Sequence, residues 1–275
     1  MLRGGVALKT RFSHLKLCIV NEFRDRYPGR LGPLGQLASE LTLLTVYWFT
    51  AKAFQPTLTG VGDYFSFIVV GELALALPNF LILGHSRAIR VLSQEGTLEP
   101  ILVSPGRFSF KLTSVVLAGL LFEIARVLAV SAIAYFVFEV NLNHSLWPAA
   151  FVLAFSLPMF AGLGLLSAAV VLHFGRGERV LAAGVTAAAV LSGAYFPSEV
   201  LPQSVSQAMQ FLSPFTLLIE GIRGAVNEGW ASAKLISSIG FFIGGGFLTL
   251  PFAHFFLNAV AHRYDRRLKP LLFRG

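Results

Sequence analysis

Two Glu-x-x-Arg pairs, Glu123 with Arg126 and Glu220 with Arg223, are the residues in this sequence best spaced to act together. In each pair the charges stand one helical turn apart on one face and can neutralise each other. Both pairs lie in apolar surroundings, where ionisable groups are costly and therefore mark candidate functional sites. Two roles are open for Glu123 and Arg126: an ion pair between packed helices, or a contact with cargo in a pathway. Glu220 and Arg223 could hold a helical hairpin in place or hold two copies of the chain together. Glu40 and Glu72 are single carboxylates of the kind a proton-coupled carrier uses, with no His or second acid one turn away. His85, His173 and His262 stand at the ends of apolar runs, the setting of a wet interfacial histidine. His254 lies inside such a run, where a hydrogen bond to a neighbouring helix would suit it. No Ser-His-Asp arrangement, metal-ligand spacing or acidic pair stands out as an active site.

The elements that must carry these residues are membrane spans. Of 275 residues 55% are hydrophobic and 13% charged, with a mean hydropathy of +0.70. Soluble domains run at about a quarter charged. A helix needs about 20 apolar residues to cross the hydrocarbon core. The expected fold is therefore all-α and polytopic, with six transmembrane helices over 31–51, 64–84, 110–138, 147–172, 180–196 and 235–258, in a single transmembrane domain 1–275. Gly162 and Gly164, then Gly240, Gly244, Gly245 and Gly246, put small residues in the fourth and last spans. Gly240-x-x-x-Gly244 has the spacing of close helix approach, within one subunit or between two. Tyr47, Trp48, Phe49, Tyr64, Trp147, Tyr195 and Trp230 fall at one set of span ends, as an interfacial belt does. Cys18 is the single cysteine, which excludes an internal disulfide.

Charge sets the orientation, because cytoplasmic connections carry the excess of Lys and Arg. Segment 1–30 holds seven (Arg3, Lys9, Arg11, Lys16, Arg24, Arg26, Arg30) and connection 85–111 holds four (Arg87, Arg90, Arg107, Lys111). Connection 173–179 holds two (Arg176, Arg179) and the tail five (Arg263, Arg266, Arg267, Lys269, Arg274). The opposite connections hold three: Lys52, Arg223 and Lys234. Eighteen against three, of 22 in all, puts both termini in the cytoplasm with an even number of crossings between them. The net charge of +8 is distributed over span ends and forms no continuous patch, so nucleic acid is not an expected partner. Residues 1–30 lack the short apolar block and small-residue site of a cleavable secretory signal.

Three segments are expected to lie along the membrane. Over 6–27, Leu8, Phe12, Leu15, Ile19 and Phe23 share one helical face and the cations take others, as in an interfacial helix resting on lipid headgroups. An organellar transit peptide is the alternative, since the first 21 residues contain no acid. Connection 85–109 is too polar to span but has an apolar side in Ile89, Leu92, Leu98, Ile101 and Leu102. Gly96 breaks it and Thr97 is placed to cap a new turn. It is either a short amphipathic helix exposing Glu95, Thr97 and Glu99 to a partner, or a solvated loop. Segment 197–232, punctuated by Pro197, Pro202 and Pro214, suits two short helices, 202–212 and 214–226. They either re-enter the outer leaflet against protein or lie flat on its surface.

The residues SQEGTLEPILVSPGRF (93–108), FPSEVLPQSVSQAMQFLSPFTLLIEGIRGAV (196–226) and FRDRYPGRLGPLGQL (23–37) resemble the ABC type-2 transporter permeases, the membrane subunits of bacterial and archaeal ATP-driven exporters. The resemblance implies a permease of the prokaryotic plasma (inner) membrane that pairs with a second copy, as a homodimer, and with two ATPase subunits. It implies a coupling helix over 87–104, with Arg87, Arg90, Gln94, Glu95, Gly96, Thr97, Leu98 and Glu99 as its contacts to the ATPase. It implies an outer re-entrant hairpin over 197–232 and an amphipathic cargo: lipid-linked glycan, lipid or drug. No G-x-x-x-x-G-K-[ST] loop occurs in the sequence, so ATP and Mg belong to the partner and this chain holds no cofactor. The runner-up is an ion-gradient-driven secondary transporter or channel leaning on Glu72, Glu123 and Arg126.

Overall fold

The computed structural model describes residues 32–54, 63–140, 146–175, 177–197, 202, 204, 207–209 and 213–272. The expected interfacial helix 6–27 lies outside them, as does most of the first half of the expected hairpin. Among the described residues the chain is all-helical: α1 Gly32–Phe54, α2 Tyr64–Gln94, α3 Leu98–Val103, α4 Phe108–Phe138, α5 Trp147–Phe174, α6 Glu178–Leu191, α7 Pro214–Glu228 and α8 Ala233–Leu272, with a 3-10 turn Gly229–Ala231.

Among the described residues four helices are long and apolar enough to cross a membrane: α2, α4, α5 and the Ala233–Tyr264 stretch of α8. Helices suit that setting because they satisfy their own backbone hydrogen bonds. α1 has the length to span, about 34 Å at 1.5 Å per residue, but Gln36, Glu40 and three threonines dilute its apolar run. The hydroxyls of Thr42, Thr45 and Thr50 bond back to the carbonyls of Ala38, Leu41 and Val46 at 2.7–2.8 Å, so none needs water. α6 has 14 residues and stops at Leu191, short of the expected span end at 196. The 87–104 segment is likewise not one helix, since α2 continues through Gln94, the chain turns, and α3 begins at Leu98.

α5 packs along both α2 and α8, α4 lies along α2, and α7 tucks against α5 and α8. Phe160 of α5 sits at the centre, fully buried, its ring 5.2 Å from Phe215 and 5.9 Å from Phe242. Small residues bring the long helices together where lipid offers little hydrophobic drive. A side chain on Gly164 would meet the His85 Nδ1 position at 2.5 Å, and Ser167 donates to the Ile82 carbonyl at 2.8 Å. His85, expected at a wet span end, is in fact fully buried in this seam and bonded through Nδ1 to the Leu81 carbonyl at 2.7 Å. The α5–α8 seam uses Gly162, Gly245 and Gly246, against Thr249, Met159 and Pro158. Gly240 and Gly244 face open space, so the Gly-x-x-x-Gly spacing is not what packs this chain internally.

One substitution therefore has opposite effects at two glycines. Gly164→Ala, which drives a methyl into the α2 backbone, costs about 1–3 kcal/mol. Gly244→Ala, facing open space, is neutral or stabilising by up to about 1 kcal/mol through helix propensity. Thermal unfolding of both variants in detergent checks the pair, and equal melting temperatures would refute the seam.

Candidate functional site

The polar chemistry sits at three levels of the bundle. The first is the end where α2 begins. Asp63 caps α2, accepting from the Phe65 and Ser66 amides at 3.2 and 3.3 Å, which fixes where the helix enters. Across from it the chain leaves α6 and runs 192–196 without helical bonds, turning at Gly193 with φ +87°. Its carbonyls need donors, and Arg223 of α7 supplies them. Nη1 donates to Gly193 O at 2.8 Å and Nη2 to Ala194 O at 2.9 Å and to Phe67 O at 3.2 Å. The same guanidinium lies 3.4 Å above the Phe67 ring, a cation–π contact. Tyr64 OH donates to the next carbonyl, Tyr195 O, at 2.8 Å. A side chain on Gly71 would run into the Ala194 backbone, its carbonyl carbon 2.9 Å away, so only glycine lets the break pack on α2.

Glu72 completes this level. Tyr195 OH donates to its Oε2 at 2.5 Å, and Tyr47 OH from α1 reaches the same oxygen at 3.5 Å. The expected aromatic belt thus divides. Tyr47, Tyr64 and Tyr195 turn inward on Glu72 and the chain break, whereas Phe49, Trp147 and Trp230 are 62%, 71% and 55% exposed. Arg223, paired by spacing with Glu220, acts across the bundle; Glu220 is half-buried one turn back on α7.

The second level is mid-span. Arg126 donates to Glu123 Oε1 through Nε at 2.9 Å and Nη2 at 2.6 Å, and through Nη1 to Glu40 Oε1 at 2.6 Å. The side chains are only 19%, 9% and 16% exposed respectively. Glu40, an isolated carboxylate in the sequence, is the third member of an ion triad tying α1 to α4. Charge-assisted bonds at these distances are among the strongest side-chain contacts. His254 lies away from this level, toward the basic end, where it stacks on Phe110 near the start of α4 with centroids 4.7 Å apart and lines the cleft beside Arg107. Its Nδ1 has no hydrogen-bond partner among the described residues, contrary to the expected bond to a neighbouring helix.

The third level is the basic end, where 93–98 folds as a defined helix stop. Gly96, with φ +69°, donates to Ser93 O at 3.3 Å and Thr97 N to Leu92 O at 3.0 Å. This is a Schellman cap, which requires a residue tolerant of positive φ at its turn. Thr97 Oγ1 also bonds back to Leu92 O, at 3.3 Å, and makes no cap bond to α3, so its role is to close α2. Leu98 is 5% exposed and clusters with Ile89, Phe108, Leu112 and Leu165, an anchor rather than a surface contact. Arg87, Arg90, Gln94, Glu95, Gly96, Thr97 and Glu99 remain exposed. Lys111 of α4 binds the far end of α3, donating to Ile101 O at 3.0 Å and Ser104 O at 2.7 Å. Arg90 pairs with Glu178 in the first turn of α6, where an acid also suits the helix dipole. Beside that pair a cleft of about 560 Å³ opens between Gln94, Leu98, Arg179 and Tyr264.

Spacing alone hid the contacts between elements: Arg223 to Phe67, Tyr64 and Glu72 to Tyr195, Arg90 to Glu178, Glu40 to Arg126, and the shorter reach of Lys111 to α3. No group of His, Cys, Asp or Glu among the described residues could hold a metal ion. A family model described as ABC-2 type transporter matches residues 13–227. No curated protein matches the chain.

Arg126→Leu removes the cation shared by two buried carboxylates and is expected to cost about 3–5 kcal/mol. Replacing all three, Glu40→Leu, Glu123→Leu and Arg126→Leu, is expected to recover most of that loss, because an apolar triad leaves no buried charge. Thermal unfolding of the single and triple variants measures both; a triple variant no better than Arg126→Leu contradicts the assignment of the loss to the two stranded carboxylates.

Proposed function

The chain belongs to the ABC-2 type transporter family, and from that premise we propose that this multi-pass permease works as an exporter subunit, driven by two separate ATP-binding-cassette subunits. Permeases of this family normally work with such ATPase partners, and the ATP chemistry is theirs. The remaining assignments are our reading. The membrane is a prokaryotic inner membrane, the basic end is cytoplasmic, and the functional unit is a homodimer. The cargo is amphipathic, a lipid-linked glycan, lipid or drug.

Six crossings are part of this reading. α1 crosses because its acid is paired with Arg126, which it shares with Glu123, and its threonines bond to their own helix. α6 completes its crossing through the non-helical 192–196 stretch, whose carbonyls Arg223 and Tyr64 satisfy. α7 then returns along the outer leaflet and buries Phe215, Leu218 and Ile222 against α5 and α8 instead of crossing.

The observation that carries the reading is the build of the 87–104 segment. It presents Glu95 and Glu99 to solvent on a stalk held from three sides: the Schellman cap below, Leu98 within, and Lys111 at the far end. A surface held this way transmits a push instead of absorbing it. The ATPases would press on α3 and the 93–97 turn, and α2 and α4 would carry the displacement inward. Arg90–Glu178 brings α6 into the same movement. Because ATP and cargo each favour one packing, their effects on each other must be reciprocal.

The family match argues against the gradient-driven alternative, since permeases of this family work with ATPase partners.

Charge reversal by Glu95→Lys with Glu99→Lys is expected to weaken ATPase association about tenfold, on the order of 1.4 kcal/mol. Both residues are exposed, so membrane insertion and thermal stability should stay unchanged. Co-purification of the ATPase with the double variant measures this, and undiminished recovery removes the coupling assignment.

A further inference from the structure

The basic end holds a second recess, which borders the far end of α3 but contains none of the exposed acids of the coupling surface and no member of the ion triad. It is a groove of about 890 Å³ between the α3–α4 corner and α8. Its lining is sorted along the helix axes. At the mouth stand Ser104, Arg107 and His262, all exposed. Deeper along α8 come Phe255 and Pro251, opposite Phe110 of α4. His262 to Phe255 is two helical turns, about 10 Å, and Pro251 lies about 6 Å beyond. Phe110 and Phe255 are 55% and 75% exposed, so the deep wall opens sideways out of the bundle. No acid lines the groove among the described residues.

We propose that this groove binds an anionic phospholipid of the cytoplasmic leaflet, its phosphate at Arg107 and His262 and an acyl chain along Phe110, Phe255 and Pro251. The arrangement is graded for such a molecule. Arg107 provides a permanent cation and a planar fork that matches a phosphate. A histidine ring N–H adds a donor, whereas the Ser104 hydroxyl already donates to Ile101 O at 2.9 Å. The apolar wall starts where a headgroup ends and runs toward the bilayer centre. A free anion would leave that wall uncovered. The N-terminal segment 6–27 is a poor occupant, since its cations (Lys9, Arg11, Lys16, Arg24, Arg26) would face Arg107. Asn258 holds the groove open by clamping α8 to the start of α4: it accepts from the Ser109 amide at 3.2 Å and donates to the Ser109 hydroxyl at 2.8 Å. The leaflet rests on the orientation proposed above, whereas the lipid preference does not.

The test is native mass spectrometry of the full-length chain released from micelles holding equal phosphatidylglycerol and phosphatidylcholine. One guanidinium beside an anionic headgroup predicts a preference of about fivefold for the anionic lipid. Arg107→Gln should reduce it to near parity, and Arg107→Lys should keep most of it. Excess inorganic phosphate should leave the bound lipid in place. Equal binding of the two lipids by the unaltered chain, an undiminished preference in Arg107→Gln, or displacement by phosphate alone would overturn the site. Val103→Cys supplies the control on other occupants, because Cys18 is the single native cysteine. Efficient disulfide formation between Cys18 and the new thiol would seat segment 6–27 in the groove, and a crosslink between two copies in a Cys18→Ser background would seat a second subunit there. Either result overturns the lipid assignment, and none of these readouts involves the ATPase.

Discussion

A chain that leaves helical geometry inside a bilayer must find donors for its carbonyls, since each unsatisfied group costs several kcal/mol where water is absent. On the six-crossing reading proposed above, Arg223 meets that constraint for the 193–194 break. Arginine suits the task because its fork donates in several directions at once and its charge does not depend on pH. By also binding Phe67 O it fixes the break to the start of α2, and Tyr64 continues the same work one carbonyl further on. The bare backbone of Gly71 lets the two approach closely, which in turn brings Tyr195 within reach of Glu72. Remove the guanidinium and α6, α2 and α7 lose their common attachment.

That constraint also explains which parts of the fold were legible in the sequence. Long uninterrupted apolar runs read directly as α2, α4, α5 and α8, because length and hydropathy suffice for a helix buried in lipid. Gly96 and the solvent-facing Glu95 and Glu99 were legible too, as local features of turn chemistry and polarity. Long-range pairing was not. Arg223 stands one turn from Glu220, and helical spacing offers that neighbour; nothing local signals that the fork reaches carbonyls 29 and 30 residues upstream. Glu40 and Arg126 are 86 residues apart, so an acid isolated in sequence becomes half of a buried pair in space. His85 misled for a related reason. Its position at a run's end suggests water, but Gly164 on α5 makes room for the ring inside a seam. Leu98, grouped with its polar neighbours by motif, faces the opposite way because the six-residue helix is held by its apolar side, with Leu98 buried and Ile101 and Leu102 packed against the same cluster.

The three polar levels are connected by one element. α2 runs 31 residues from the Asp63 cap to Gln94, about 46 Å at 1.5 Å per residue. At one end it carries Phe67 and Glu72, which bind the 193–195 break; at the other it carries Arg90 and the Gly96 turn. Along its middle it is locked to α5 by the close approach of the Gly164 backbone to Leu81 and by the Ser167 hydroxyl bonded to Ile82 O, contacts with little slack. Close-packed interfaces of this kind switch between arrangements instead of deforming continuously. On the coupling role proposed above, a push on the 93–99 turn would be answered in one of two places: at Pro78, where the helix lacks one internal hydrogen bond, or at the Arg223 clamp itself. If α2 moves as a rigid rod, the clamp must let go of Phe67 or drag the 192–196 stretch with it. If α2 bends at Pro78, the far end stays fixed and Glu72 keeps its tyrosines. The two routes differ in whether the Tyr195–Glu72 bond survives the stroke. The density of bonds at that end, set against the single missing bond at Pro78, makes the bend the less costly route.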